Sequence, residues 1–240
     1  MDFLFYFIIL ALAAEIIGTV GGFGSSMLFV PIAGLLFEFQ SVLAITALFH
    51  LSSNIAKIAL FRKGFDKKLI IRIGIPAIVF VVIGAYLSRF FDGHILELCL
   101  SVFLIFLSLL LLISKYVFKP TTVNAIIGGA LSGLTAGLFG TGGAIRGLTL
   151  AAFNIEKNVF ITTSAIIDLG IDLSRSVVYF NNGYVKSNEL YLIPILLVVS
   201  VVGTFIGKKI LYHFSQQQFK HSVLIITLII GVFTLLKQLL

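Results

Sequence analysis

The sequence has 240 residues, of which 59% are hydrophobic and 11% are charged, and its mean hydropathy is +1.15. A soluble domain of this length could not bury so much apolar surface, so the composition indicates an integral membrane protein. The formal net charge of +7 comes from lysines and arginines in short loops. That pattern is typical of cytoplasmic loops and argues against a nucleic-acid partner. A single cysteine excludes an internal disulfide and a cysteine-rich metal site, and we expect neither metal nor cofactor.

The apolar runs predict an all-α membrane protein with about eight transmembrane helices and two short helices. Each long run can cross a hydrocarbon core of about 30 Å at a rise of about 1.5 Å per residue. The predicted long helices cover residues 3–20, 41–61, 69–87, 95–113, 123–139, 159–180, 190–206 and 219–236. We expect Pro76 to distort the third of them. Two further runs, residues 27–39 and 144–155, are too short to cross comfortably as single helices.

Each short run follows a break that is rich in glycine. The first break contains Gly-Phe-Gly-Ser-Ser at residues 22–26, and the second contains Gly-Thr-Gly-Gly at residues 140–143. Glycine at this density unwinds a helix, and unwound backbone occurs in membranes only where protein buries it or water reaches it. The alternative is close packing of membrane helices, which the spacing of Gly133 and Gly137 fits.

The helix that begins at each break predicts an anion-binding site. Its first turn has free backbone N–H groups and a positive dipole end, and nearby hydroxyl groups add donors. Arg146 either pairs with Asp168 or Asp172, or meets the anion directly, and the sequence leaves both readings open. The predicted substrate-binding residues are Gly22, Gly24, Ser25, Ser26, Gly140, Thr141, Gly142, Gly143 and Arg146.

Ionisable residues within two of the long runs predict a polar network inside the bundle. Charge in the hydrocarbon is costly, and such residues usually face the bundle interior or a water-filled cavity. The expected coupling residues are His50, Asn54 and Lys57 on one helix face and Asp168, Asp172 and Arg175 on another. Asp168 lies deeper in its run than Asp172, and we expect it to carry the proton during transport. The structural alternatives are an ion pair between Asp172 and Arg175 and a Lys57 that extends to the membrane surface.

A shift of roughly 118 positions superimposes one half of the sequence on the other. It pairs Gly22 with Gly140 and Pro76 with Pro194, and it predicts two repeats, residues 1–119 and 120–240, within one membrane domain. If the short helices cross with their loops, each repeat has an odd number of crossings and the repeats are inverted. With the basic loop after residue 61 inside, that arrangement puts about 11 loop lysines and arginines inside and 3 outside. If the short helices only dip into the membrane, each repeat has an even number of crossings and the repeats run parallel. That arrangement puts about 9 loop lysines and arginines inside and 5 outside, so inverted repeats are favoured.

The paired glycine loops carry a family resemblance. Together with Val30-Pro31 after the first loop and the Phe139-Gly140 start of the second, they resemble the TauE/SafE family of sulfite exporters. The resemblance covers nearly the whole chain, including its length and two-fold repeat. It implies a multi-spanning transporter of sulfur-containing anions such as sulfite or sulfonates. The family loop favours a third glycine, but here Ser25-Ser26 and Ala144 stand there, and these departures leave the substrate open.

The prediction is therefore a secondary transporter of small sulfur-containing anions, not an enzyme, in a cell membrane of the bacterial inner-membrane type. Its partners are the anion, the lipid bilayer and, as one option, a coupled proton. The alternatives are a passive anion channel, a non-transporting scaffold and an intramembrane hydrolase. The hydrolase would use Ser25 or Ser26 as nucleophile with His50 as base. It fits poorly, because the second half keeps the loop without the serine or the histidine. The sequence leaves open the anion, its direction, the coupling ion and the oligomeric state.

Overall fold

A computed structural model describes residues 2–21, 24–113, 119–211 and 216–239 of the chain. These residues form helices joined by short loops, without a strand among them, which confirms the predicted all-α class. In chain order the helices are α1 (Asp2–Gly21), α2 (Ser26–Gly34), α3 (Phe39–Leu60), α4 (Lys67–Phe90), α5 (Gly93–Ile113), α6 (Thr122–Phe139), α7 (Gly143–Ala151), α8 (Lys157–Asn181), α9 (Leu192–Leu211) and α10 (Gln216–Leu239). Helix α4 contains a π turn at Ile70–Gly74, which ends two residues before Pro76, the proline expected to distort the helix.

Within the described ranges, six helices are long and apolar enough to cross a membrane. They are α1, α3, α4, α5, α6 and α9. Helix α8 is the longest, but Asp168, Asp172 and Arg175 interrupt its apolar character. The apolar part of α10 is the shorter stretch Val223–Leu239. The chain is therefore a multi-pass membrane protein, and the count of eight crossings stays a prediction.

The outward faces of the bundle expose large apolar side chains. Val79 of α4 is 51% exposed, and Phe106 of α5 is 63% exposed. Soluble proteins rarely present contiguous apolar surface on this scale. Lipid chains match such a surface, whereas the polar and charged side chains described below are buried inside the bundle.

Helices α4 and α6 pack closely and run parallel. Gly133 of α6 lies against the backbone of Ala77, and Gly137, one turn later, lies against that of Val81. A side chain at either glycine would overlap the facing backbone. The close-packing reading of these two glycines is therefore confirmed.

Helices α1 and α9 form a second parallel pair. Gly203 of α9 lies against Glu15, and Gly207 lies against Thr19. In both pairs, glycines on one helix leave space for the backbone or side chains of the other, so the two helices can pack closely.

Two other pairs run antiparallel. Asn54 of α3 bonds to Asp172 of α8, and the carbonyl of Phe61 accepts from Thr162 earlier in α8. Likewise, α5 and α10 run in opposite directions, because His94 lies near the carbonyl of Gln238 whereas Gly231 lies against Leu104. We call the end of the bundle that holds the loop 61–66 the basic end, and the other the opposite end.

The short helices α2 and α7 start in the middle of the bundle, and we call them the half-helices. Ser25, directly before α2, contacts His50 in the middle of α3, and Gly34 at the end of α2 lies against Phe39. Gly142, directly before α7, lies against Ser132 in the middle of α6, while Thr149 lies against Gly128, nearer the start of α6. Helix α2 therefore leads to the opposite end and α7 to the basic end. Both end earlier than predicted, at Gly34 and Ala151.

Candidate functional site

The two glycine breaks meet at the centre of the bundle. Thr141 Oγ1 donates to Ser26 Oγ at 3.2 Å, which joins the second break to the start of α2. A β-carbon placed on Gly24 would lie 4.0 Å from the Arg146 guanidinium of α7. Predicted site residues from both halves are thus neighbours, although Gly22 lies outside the described residues.

Both half-helices begin with backbone N–H groups that no side chain caps, as far as the described residues extend. Neither the residue before α2, Ser25, nor the residue before α7, Gly142, makes a side-chain cap hydrogen bond. The first turns of both helices also lack an acidic residue. Each helix start carries the equivalent of roughly half a positive charge. Two such ends face one another here, an arrangement that suits an anion.

The glycines of the breaks are required by the backbone and by space. Gly24 has a φ of 81° and Gly140 a φ of 75°, the left-handed region that residues with a β-carbon adopt at a cost. At Gly142 the restriction is different, because a β-carbon would overlap the carbonyl oxygen of Ser132. Gly143 is the first residue of α7.

Arg146 is buried and paired with Asp168, one of the two partners that the sequence left open. Its Nη1 lies 2.5 Å from Asp168 Oδ1, and its Nε donates to Ser164 Oγ at 3.1 Å. Only 2% of the Arg146 side chain is exposed, against 18% for Asp168. The guanidinium therefore lies beside Gly24 of the first break while α8 holds it by an ion pair.

A second ion pair joins Asp172 and Arg175 within α8, as the structural alternative expected. Arg175 Nη2 lies 2.7 Å from Asp172 Oδ1, and Asn54 Nδ2 donates to the other carboxylate oxygen at 2.7 Å. Arg175 Nη1 also donates to the carbonyl oxygens of Ala136 and Gly140. These carbonyls lie at the C-terminal end of α6, where a cation is favourable. The pair therefore holds the second break in shape.

The two polar helix faces predicted from the sequence meet inside the bundle. His50 and Asn54 of α3 contact Arg175 and Asp172 of α8, respectively. Lys57 and Asp168 line one small cavity together. Lys57 is 8% exposed, so it does not extend to the membrane surface.

Sequence reasoning missed Glu15, a heavily bonded side chain of this network. The carboxylate is fully buried in α1 and forms an ion pair with Lys57, its Oε1 lying 3.0 Å from Lys57 Nζ. Four hydroxyl groups donate to it, those of Thr19, Ser25, Ser53 and Thr204. The sequence did contain a signal for it. Glu15 is a lone acidic residue in an apolar run, and ionisable residues within membrane helices usually face the bundle interior and have a function. The shift of 118 positions places Gly133 opposite it, so the comparison of halves drew no attention to it.

A cavity of about 20 Å³ lies between these groups. Its lining includes Thr19, Gly24, Lys57, Ser164 and Asp168. That volume accommodates about one water molecule. Helices must therefore separate before an oxyanion can occupy the centre.

A larger polar cavity of about 440 Å³ lies at the opposite end. It is lined by the loop before α3, the end of α4 and the loop after α8, including Glu38, Arg89, Tyr184 and Lys186. Lys186 forms an ion pair with Glu38 across it. No cluster of three or more histidine, cysteine, aspartate or glutamate residues suited to a metal ion occurs within the described ranges.

Comparison with known proteins agrees with this architecture. The family model described as sulfite exporter TauE/SafE matches residues 7–234. A protein of Methanocaldococcus jannaschii described as a probable membrane transporter is 27% identical over 252 residues, covering 95% of this chain and 94% of that protein. No solved structure matches the chain significantly. Because the family model covers nearly the whole sequence, the chain is a membrane transporter that belongs to the TauE/SafE family.

Proposed function

We propose that the protein is a secondary transporter of small sulfur oxyanions, such as sulfite or a sulfonate, and that the anion binds between the half-helix starts. The observation that carries this proposal is the meeting of two uncapped, positive helix ends at the centre of a membrane bundle. Family membership supports the chemical class of the substrate. Hydroxyl groups of Ser26 and Thr141 and the fork of Arg146 supply further donors for oxyanion oxygens.

The charge balance of the centre supports a single anionic substrate. Glu15 with Lys57, Asp168 with Arg146, and Asp172 with Arg175 form three ion pairs that neutralise one another. The two half-helix starts then leave the equivalent of roughly one positive charge. A bound monoanion completes the balance, and water competes poorly for it in so small a space.

The pattern of helix pairing supports two inverted repeats, residues 1–119 and 120–240. If α1 to α5 correspond to α6 to α10, the parallel pair α4–α6 corresponds to the parallel pair α9–α1. Corresponding helices also pack on each other, α3 on α8 and α5 on α10. The two helices of each such pair run antiparallel. The two-fold axis that relates the proposed repeats therefore lies in the membrane plane.

The distribution of basic residues supports a cytoplasmic basic end. Ten lysines and arginines of the described ranges lie there, namely Arg62, Lys63, Lys67, Lys68, Arg72, Lys119, Lys157, Lys208, Lys209 and Lys220. Three lie at the opposite end, namely Arg89, Lys186 and Lys237. The polar cavity at the opposite end then opens outward and forms the outer approach to the site.

We favour a carrier over a passive anion channel. The central cavity of about 20 Å³ has no room for an oxyanion, so binding needs a rearrangement of the helices. Inverted repeats around a central site provide such a rearrangement by rocking of one part of the bundle against the other. Counterflow of labelled sulfite in proteoliposomes distinguishes the two, because accumulation driven by unlabelled anion on the other side requires a carrier.

The hydrolase alternative has one attractive contact, since His50 Nε2 lies 2.9 Å from Ser25 Oγ. However, His50 Nδ1 faces the guanidinium of Arg175 at 3.5 Å. A guanidinium nitrogen only donates, so Nδ1 accepts and the neutral ring carries its proton on Nε2. Nε2 therefore donates to Ser25 instead of accepting its proton as a general base would. We favour transport.

The proposal is tested by ligand-dependent melting of the purified protein in detergent. Sulfite, sulfate, thiosulfate and methanesulfonate are compared with chloride at equal ionic strength. A ligand that binds only the folded protein raises Tm in a concentration-dependent way, and we expect at least one sulfur oxyanion to do so. Tm values that never exceed those in chloride would contradict the proposal. They would instead fit a scaffold that binds no anion.

A further inference from the structure

Glu15 is a buried carboxylate beside the proposed transport site to which that site assigns no role. Its Oε1 accepts from Ser53 at 2.5 Å and Thr204 at 3.0 Å, and it lies 3.0 Å from Lys57 Nζ. Its Oε2 accepts from Ser25 Oγ at 2.6 Å. A carboxylate in the membrane interior that is held by this many donors marks a functional position as well as a structural one.

Glu15 differs from Asp168 and Asp172, the carboxylates of the other two central ion pairs, because hydroxyl groups hold it in addition to its cationic partner. Asp168 faces the Arg146 guanidinium, and Asp172 faces Arg175 and an amide nitrogen of Asn54. Guanidinium and amide nitrogens cannot accept a hydrogen bond. A protonated Asp172 would thus place its new O–H group against donors at either oxygen, and a protonated Asp168 would do so at the oxygen that faces Arg146.

The hydroxyl groups around Glu15 rotate and can accept as well as donate. Those of Thr19, Ser25, Ser53 and Thr204 satisfy the carboxylate now and can equally accept from a protonated carboxyl group. Besides the Lys57 ammonium, which only donates, Glu15 therefore has four neighbours that can accept its proton, so a protonated carboxyl group finds a hydrogen-bond partner. Of the three, it is the carboxylate suited to both charge states.

Ser25 connects Glu15 to the proposed anion site. Because His50 Nε2 donates to Ser25 Oγ, the serine hydroxyl directs its own proton to Glu15. Ser25 is also the residue directly before α2, whose first N–H groups face the site. While Glu15 is ionised it holds this hydroxyl, and once Glu15 is neutral the hydroxyl is free to donate to an anion.

We infer that Glu15 is the proton-binding residue of transport and that proton and anion bind together, so that they move in the same direction. The inference rests on the proposed function. Protonation of Glu15 removes a negative charge close to the anion and leaves the Lys57 ammonium without its counter-ion. Both changes favour the anion, and by linkage a bound anion favours the proton to the same extent. The sequence led us to expect Asp168 in this role. We assign it to Glu15 instead, because hydroxyl groups that can also accept surround Glu15, whereas Asp168 faces the Arg146 guanidinium.

The other charged groups that face Glu15 do not offset this coupling. Lys57 and His50 approach from α3, and Asp168 with its partner Arg146 lies across the small cavity. Helix α9 presents Thr204, which does not titrate.

The inference is tested by measuring proton uptake when methanesulfonate or sulfate binds to the purified protein in weak buffer with a pH indicator. These anions keep their charge from about pH 5 to about pH 8, so an uptake belongs to the protein. We expect up to about one proton per bound anion, and an affinity that falls by about tenfold or more as the pH rises from about 5 to about 8. Glu15→Gln should bind the anion with an affinity that does not depend on pH and should take up no proton.

Two further variants keep the test decisive. Glu97→Gln removes a different buried carboxylate, in α5, and should keep the wild-type uptake. If Glu15→Gln does not fold, Glu15→Gln with Lys57→Gln removes both charges of the pair, leaves no buried charge unpaired and should also take up no proton. Proton uptake by Glu15→Gln, or anion binding by the wild type without uptake at any pH in the range, would overturn the inference while the proposed function stood. Failure of the wild type to bind any sulfur oxyanion would overturn both.

Discussion

At the scale of single residues, the central question is whether Arg146 binds the anion or only neutralises Asp168. The 2.5 Å ion pair establishes the partner but does not exclude the ligand, because the guanidinium also lies beside Gly24 of the first break. A guanidinium has five N–H groups, and Asp168 and Ser164 engage only some of them. Arg146 can therefore serve its ion pair and an oxyanion at once.

We predict that Arg146→Gln abolishes anion binding and that Arg146→Lys weakens it, because lysine lacks the planar fork. Arg146→Gln should also lower stability by about 3 kcal/mol or more, since it leaves Asp168 unpaired. Adding Asp168→Asn should restore the stability but not the binding. Melting temperatures with and without anion measure both effects. Normal transport by the double variant would make Arg146 purely structural.

Gly24 provides a second test at this scale. Its φ of 81° makes any side chain strained, by about 1 kcal/mol for alanine, although the nearest neighbour of a new β-carbon is 3.8 Å away. We predict that Gly24→Ala lowers the rate of anion uptake into proteoliposomes by about tenfold or more, because a small displacement of binding groups is costly. Gly24→Val should abolish uptake.

Gly64 is the matched control for Gly24. It also has a positive φ, of 107°, lies in the loop between α3 and α4, and has open space around it. Gly64→Ala should lower stability by at least as much as Gly24→Ala yet leave uptake unchanged. Equal uptake by the two variants would argue against a binding role for the first break.

Residue-level reasoning from the sequence identified most of the central polar groups but not their roles. The regular spacing of His50, Asn54 and Lys57 was enough to predict a buried polar face, because spacing determines which residues share a helix face. Spacing says nothing about the helix opposite. The choice of Asp168 as partner of Arg146, and the position of Glu15 beside Lys57, depend on tertiary packing and could not be read from the sequence.

At the scale of elements, the two half-helices were predictable and their ends were not. Glycine breaks predict where α2 and α7 begin, since glycine density unwinds a helix. The structure ends α2 at Gly34, followed by a turn, although apolar residues continue to Phe37. Composition therefore overestimated the length of the helix, because apolar residues in a membrane protein occupy turns as well as helices.

The α4–α6 pair shows how small residues determine which helices touch. We predict that Gly133→Val lowers Tm by several degrees, because its side chain overlaps the backbone of Ala77 and overpacking costs about 1–3 kcal/mol. Leu131→Val, on the same helix at a lipid-facing position that is 48% exposed, should leave Tm nearly unchanged. Melting in one detergent compares the two, and equal Tm values would show that the close contact contributes little.

At the scale of the whole molecule, the inverted arrangement that we propose would explain why the half-helix starts meet. If a two-fold axis in the membrane plane relates the halves, two helices that begin near that axis have their positive ends at the same depth. Parallel repeats would instead direct both half-helices to the same side of the membrane. The opposite directions of α2 and α7 fit the inverted arrangement. The distribution of charges in the loops already favoured the inverted arrangement at the level of the sequence. The antiparallel packing of α3 on α8 is a stronger and independent reason for it.

The corresponding loop glycines, Gly64 and Gly183, provide the test of this symmetry. Both have a positive φ and open space around them, so a cysteine at either position meets similar strain and similar access. In a background with Cys99 replaced, we predict that an impermeant thiol reagent added to intact cells labels Gly183→Cys but not Gly64→Cys, and that permeabilised cells label both. Gly64 lies in the basic loop that the excess of lysine and arginine assigns to the cytoplasm. In parallel repeats corresponding loops share one side of the membrane, so labelling of both or of neither in intact cells would contradict the inverted arrangement, and with it the meeting of two half-helices about an axis in the membrane plane.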